Sequence, residues 1–144
     1  MIAIRAARIA DAAEIARLSA QLADPVTPEC MAVRLAAFVD DAPRAAFVAD
    51  TGDALAGWIA VERRMTLETG EAFEITGLVV DAAQRRSGVG ARLVAAADAW
   101  RAAQGGQGLL VRSNVVRAAS HAFYASLGFQ FAKTQHVYRR APRG

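Results

Sequence analysis

At 144 residues, 54% hydrophobic and 22% charged, the chain is long enough for one domain with a real core and too apolar for a disordered segment. A lone cysteine, Cys30, excludes an internal disulfide, and no apolar run approaches the roughly 18–20 residues of a bilayer span. The net charge of +3 is unevenly spread: seven arginines face thirteen acids through Asp81, then nine arginines and Lys133 face Asp98 alone. Such halves can hold a polyanion, attract a cation, or simply be solvated. Met1–Arg5 lacks the layout of a secretion signal, so a single cytoplasmic domain over 1–144, with no membrane partner, is expected.

Ile2–Ala6 alternates apolar and polar residues and reads as a first strand. Asp11 is placed to cap a helix running to about Ala23, with Ile15, Leu18 and Leu22 on its apolar face, and Asp24-Pro25 breaks it. Thr27-Pro28-Glu29 supplies an N-cap, a first-turn proline and a first-turn acid for a second helix, to which Val33, Leu35 and Phe38 belong. Ala45–Ala49 and Leu55–Arg63 flank Asp50-Thr51-Gly52-Asp53 as a hairpin. After a second turn at Leu67–Glu71, Ala72–Val80 is a strand that becomes apolar on both sides, as central strands do.

Val89–Gln104 is an amphipathic helix with Val89, Leu93, Val94, Ala97 and Trp100 as its stripe, stopped by Gly105-Gly106-Gln107-Gly108. Leu109–Val111 reads as a buried strand. Arg117–Leu127 reads as a helix closed by Gly128, and Phe129–Lys133 and Gln135–Arg140 as two last strands. The predicted order is βααβββαβαββ, an α/β arrangement around a mixed central sheet flanked by helices. Trp58 and Trp100 read as core or interface anchors, and Cys30 and His136, without partner spacing, as structural residues.

The chemistry concentrates between Leu78 and Val94, where an apolar strand passes through a turn carrying Arg85, Arg86 and Ser87 into Gly88-Val89-Gly90 and a helix. Glycine allows close backbone approach, and a helix start offers unpaired N–H groups and partial positive charge, so the turn suits a pyrophosphate. A P-loop is excluded because no lysine is near. The dinucleotide fingerprint fails because Leu93 stands at its third position and no acid follows about 20 residues on.

Arg85-x-x-Gly88-x-Gly90 in this setting resembles the acyl-CoA signature of the GNAT superfamily of N-acyltransferases. Asn114 just after a strand, Ala122-Phe123-Tyr124 and Leu127-Gly128-Phe129 extend the likeness, which is close from Ala72 to Tyr138. Arg86 and Ser87 depart from the glycine and basic residue common there, though one keeps charge and the other a hydrogen-bond donor. The resemblance implies acetyl-CoA as cosubstrate, its pantetheine aligned on the main chain of Leu78, Val79 and Val80, chiefly Leu78 and Val80, and its pyrophosphate over Arg85, Arg86, Ser87, Gly88, Val89, Gly90 and Ala91. It implies a cofactor contact for Asn114, thiolate protonation by Tyr124 and, as in some members, a catalytic base at Glu74. Many members use a water chain, or an amine that is already neutral, instead of such a base.

Glu74, Thr76 and Leu78 are expected to share one face of their strand, the N–H of Val80 is a natural oxyanion donor, and His121 lies one turn before Tyr124. The implied activity is direct acetyl transfer to a primary amine. Glu62, Glu68, Glu71 and Glu74 point to a cationic acceptor, either a small molecule or a protein amino group. A non-catalytic acyl-CoA-binding module is the alternative. Nucleic-acid binding is not expected, because stacking aromatics do not interleave with the arginines. A homodimer is compatible with the apolar C-terminal segments.

Overall fold

The structure, a computed structural model, describes residues 1–23, 25–39, 43–85, 87–113 and 118–142. The chain divides into two compact units, Met1–Arg112 and Ser113–Gly144. The first holds β1 (Ala3–Ala6), α1 (Ala12–Ser19), α2 (Pro28–Ala36), β2 (Arg44–Asp50), β3 (Leu55–Thr66), β4 (Gly70–Val80), α3 (Val89–Ala103) and β5 (Leu109–Val111). The second holds α4 (Ala118–Ser126).

The sheet order is β1-β2-β3-β4-β5. The first four strands are antiparallel in succession and β5 runs parallel to β4, giving the mixed sheet expected of an α/β fold. Paired residues point to the same face, so the register sorts the core. Val48, Trp58 and Val79 face α1 and α2, where Ile15, Leu18 and Leu35 close the layer. Ile59, Val61, Leu78 and Ile75 face the other way, toward α3 with its buried Val89, Leu93 and Ala97. Gly57 allows that contact: a Cβ there would stand 2.7 Å from the Val79 carbonyl and 3.1 Å from Leu93 Cδ1.

Thr27 caps α2 as expected, its Oγ1 accepting from the N–H of Cys30 at 3.1 Å. The first helix departs from its reading. α1 ends at Ser19, whose hydroxyl donates to the Ile15 carbonyl at 2.7 Å, a back-bond that competes with the helix ladder. Leu22 therefore lies past the helix and is exposed. Asp11 stands at the N-cap position of α1 but its side chain makes no capping bond there. Its carboxylate accepts from the N–H of Arg8 and is gripped by Arg5, which closes a 3-10 turn over Ile9–Asp11. Val33 is exposed as well, because Met31, Ala32 and Leu35 form the inner face of α2.

β5 is half-exposed rather than buried, with Leu110 open to solvent. The two closing strands are not formed among the described residues. No ladder includes 129–142, and Phe131, Val137 and Tyr138 are exposed. Alternation sets a preference for strand, but a strand exists only where a neighbour takes its N–H and C=O groups.

Candidate active site

β3 and β4 are in register as Ala60↔Gly77 and then Val61↔Ile75, so Thr76 is an extra residue on β4, a β-bulge. The bulge breaks the period of two that sequence reading assumes. Glu74, Gly77 and Val79 share the face of Glu62, Ala60 and Trp58, while Leu78 lies on the opposite face with Ile75. The expected line of Glu74, Thr76 and Leu78 is thus not formed.

β5 pairs with β4 only from Phe73 to Ile75. Beyond the bulge, Thr76–Val80 extends past that ladder. The N–H of Asp81 donates to the Ala56 carbonyl of β3 at 2.8 Å. Peptide groups alternate sides along a strand, so those of Val79 also face β3, and those of Leu78 and Val80 face the other edge. This edge can accept an amide-bearing ligand as an added strand.

The edge leads into a turn whose path is fixed from α1. Asp81 accepts from the N–H of Ala83 at 3.1 Å and from Arg17 and Gln21 at 3.4 Å, and Gln21 Oε1 accepts from the N–H of Ala82 at 3.1 Å. The backbone bond from Ala83 holds the Asp81 carboxyl below the usual carboxylate range, aided by Gln21 and Arg17. The Ser87 hydroxyl donates back to the Gln84 carbonyl, so it braces the turn. Gly88 follows at φ +84°, a left-handed conformation that favours glycine, and is the N-cap of α3 without a side-chain cap. The first bond of the helix ladder at this end, from the Arg92 N–H to the Gly88 carbonyl, is 3.1 Å. The N–H groups of Val89, Gly90 and Ala91 precede it in the first turn, where a helix start leaves donors that can receive an anion. Val89 and Gly90 are buried, and Arg85 is exposed beside the turn. Arg86 and Asn114 lie outside the described residues.

Glu74 is buried, at 7% exposure. Arg64 Nη1 and Arg112 Nη1 both donate to its Oε1, at 2.9 and 2.6 Å. Glu62, its cross-strand partner, meets Arg44 at 3.4 Å and Arg64 at 3.5 Å, and Glu71 meets Arg63 at 3.6 Å. The carboxylates of this hairpin are therefore largely matched by arginines, which sequence spacing did not reveal. Arg44, Arg64 and Arg112 come from three separate segments and only the strand register brings them together. Among the described residues, no group of three or more His, Cys, Asp or Glu could hold a metal ion, and no helix is long and apolar enough to cross a membrane.

In the second unit Tyr124 sits three residues from the end of its cap. Gly128, at φ +90°, donates to the Ala125 carbonyl and Phe129 N–H donates to the Tyr124 carbonyl, both at 3.1 Å, which together form a Schellman motif. The rings of Phe123 and Phe129 pack edge-on against Tyr124 with centroids 5.2 and 5.6 Å away. The Phe-Tyr-x-x-x-Gly-Phe ending is thus a local device that fixes the phenol ring.

Residues 42–131 match the family model described as an acetyltransferase (GNAT) domain. The chain belongs to the GNAT acetyltransferase family. No functionally curated protein matches it. Its fold is that of solved GNAT structures. The aminoglycoside 6'-N-acetyltransferase AAC(6')-IG from Acinetobacter haemolyticus superposes with a TM-score of 0.83 at 19% identity, covering 98% of this chain and 99% of that one. AAC(6')-Iy in complex with a bisubstrate analogue, CoA-S-monomethyl-acetylneamine, gives 0.86 at 19% identity over 98% and 99%. Glucosamine-6-phosphate N-acetyltransferase from Arabidopsis thaliana gives 0.81 at 20% identity over 96% and 98%. At such identities the likeness carries the fold, and the chemistry of this GNAT chain rests on its own residues.

Proposed function

We propose that the protein transfers an acetyl group from acetyl-CoA directly to a primary amine. The observation that carries this reading is the continuity of the bulged β4, its edge at Leu78 and Val80, which no ladder pairs among the described residues, and the Gly88 turn at the start of α3. Pantetheine amides would pair with the main chain of Leu78 and Val80, with Val79 packed behind them. The pyrophosphate would lie on the backbone from Arg85 through Ala91, with Arg85 and Arg86 adding charge. Arginine suits phosphate oxygens because its planar fork offers paired donors. Asn114 would contact the cofactor. A thioester carbonyl held beside Val80 would meet its N–H as charge builds on the oxygen.

Three proton and charge demands remain: a neutral amine, a stabilised oxyanion and a protonated leaving thiolate. We assign the last to the Tyr124 hydroxyl, since a phenol keeps its proton at neutral pH. We assign the amine's proton to Glu74, directly or through water, by way of Oε2, because both arginines engage Oε1. The acceptor is a small cationic amine or a protein amino group. Aminoglycosides and amino sugars belong in the assay because the structurally similar enzymes are named for them.

Free-CoA release over an amine panel, with acetyl-CoA and propionyl-CoA as donors, tests the reading. Tyr124→Phe is expected to lower kcat about 10²-fold or more, within the range of a lost general acid, while leaving the Kd for acetyl-CoA unchanged. Binding of acetyl-CoA without acetylation of any amine would instead assign the chain as an acyl-CoA-binding module.

A further inference from the structure

We infer that Gln21 is a positioning residue for the CoA pyrophosphate, holding the turn after β4 so that the anion is received at the start of α3; this rests on the acetyltransferase reading above. Glu14, Arg17 and Gln21 follow one another at i, i+3 and i+7, which puts them on one side of α1 and of the turn after it. Glu14 Oε1 accepts from the N–H of Leu55 at 3.0 Å and Arg17 Nη2 donates to the Leu55 carbonyl at 3.1 Å, so α1 is tied to the first residue of β3. α1 ends at Ser19, and Gln21 stands in the turn beyond it, its N–H donating to the Leu18 carbonyl at 3.1 Å. From there its amide reaches the chain after β4: Oε1 accepts from the N–H of Ala82 at 3.1 Å and Nε2 donates to Asp81 Oδ1 at 3.4 Å. A carboxylate only accepts and a backbone N–H only donates, so this pair of partners fixes which way round the amide sits.

This grip decides which donors are left for an anion. Ala82–Gln84 forms a single 3-10 turn, and its first two N–H groups are both engaged, that of Ala82 by Gln21 and that of Ala83 by Asp81 at 3.1 Å. A phosphate entering that turn would also meet the Asp81 carboxylate. The ladder of α3 begins with the Arg92 N–H, so the pyrophosphate is directed to the donors of Val89, Gly90 and Ala91. The main chain of Asp81 is held separately, its N–H donating to the Ala56 carbonyl at 2.8 Å. Gln21 therefore acts on the chain after Asp81 and leaves in place the Leu78–Val80 edge, where pantetheine would pair. The two halves of the cosubstrate thus differ in their dependence on this one side chain.

The test uses the full-length protein and Gln21→Met, which keeps the length of the side chain and removes both hydrogen bonds. Gln21 is exposed, so the substitution leaves the core untouched. Kd is measured by titration for acetyl-CoA and for S-acetylpantetheine, the same thioester without the pyrophosphate and nucleotide, and KM and kcat are measured with each as donor. The expected result is a rise of about three- to tenfold in Kd for acetyl-CoA, the worth of one hydrogen bond, mirrored in KM rather than kcat, with the Kd for S-acetylpantetheine unchanged. An equal rise for both ligands, as a merely structural role would give, or no rise for acetyl-CoA, would overturn the inference and leave the acetyltransferase reading standing. Binding is read without turnover. A wild-type protein that acetylates no amine would therefore overturn the acetyltransferase reading while the Kd values still decide the role of Gln21, and no binding of acetyl-CoA would overturn both.

Discussion

Arg5 shows how one side chain can hold several segments. Its Nη1 and Nη2 reach the two oxygens of Asp11 at 2.9 and 2.8 Å, and its Nε reaches Asp50 at 3.0 Å, which joins β1, the turn before α1 and the end of β2. Asp11 is buried, and its hydrogen bonds with Arg5 hold its carboxyl below the usual carboxylate range. Arg5→Met would leave that carboxylate buried without its cation, a loss of about 3 kcal/mol. The pH dependence has a definite sign. A carboxyl whose folded pKa is depressed contributes its stability above its unfolded pKa, about 3.9, and loses it as pH falls through the folded value. Urea unfolding of wild type and Arg5→Met from pH 7 to pH 2 should show a gap that is full above about pH 4 and narrows below it. A constant gap would mean that Arg5 acts through packing alone.

At the scale of elements, the helices and strands with strong local signals were legible in the sequence. The Thr27 cap, the Asp50–Asp53 hairpin, the stripe of α3 and the Gly88 and Gly128 turns all stand where their residues place them. What stayed hidden depends on pairing rather than on local pattern. The bulge at Thr76 reverses the face of every residue beyond it, which no period of two can show. The C-terminal ladders, not formed among the described residues, likewise depend on a partner strand. The arginines around Glu74 were hidden for the same reason, since register across β3, β4 and β5 assembles them.

The bulge also explains Gly77. A Cβ there would stand 2.6 and 2.7 Å from Cη2 and Cζ3 of Trp58, so the indole lies across the strand where a side chain would be. Gly77→Ala is expected to cost about 1–3 kcal/mol by overpacking. Trp58→Phe introduced with it should recover part of that loss, since the smaller ring vacates the contact. Denaturant midpoints of the two single variants and the double variant measure the coupling, and strict additivity would show that the two residues do not meet.

At the scale of the whole molecule, the proposed cosubstrate site is built from three parts that the unfolded chain does not bring together: the β4 edge, the turn held by α1 and the first turn of α3. A ligand that binds only that assembly stabilises the folded state by mass action. The gain is about 2.7 kcal/mol when free acetyl-CoA is a hundredfold above its Kd. For a chain of this length that corresponds to a rise in Tm of roughly 5–10 °C. The excess of positive charge after Asp81 offers a competing source of such a shift, because any polyanion could associate with it. The two sources separate cleanly. Single-stranded DNA at the same phosphate concentration supplies the charge without the pantetheine or the shape of the cradle, and should leave Tm unchanged while acetyl-CoA raises it. Gly88→Ala, which forces a Cβ into a left-handed conformation at the N-cap of α3, should reduce the acetyl-CoA shift. Equal shifts with DNA and acetyl-CoA, insensitive to Gly88→Ala, would show that net charge and not the strand–turn–helix geometry binds the ligand.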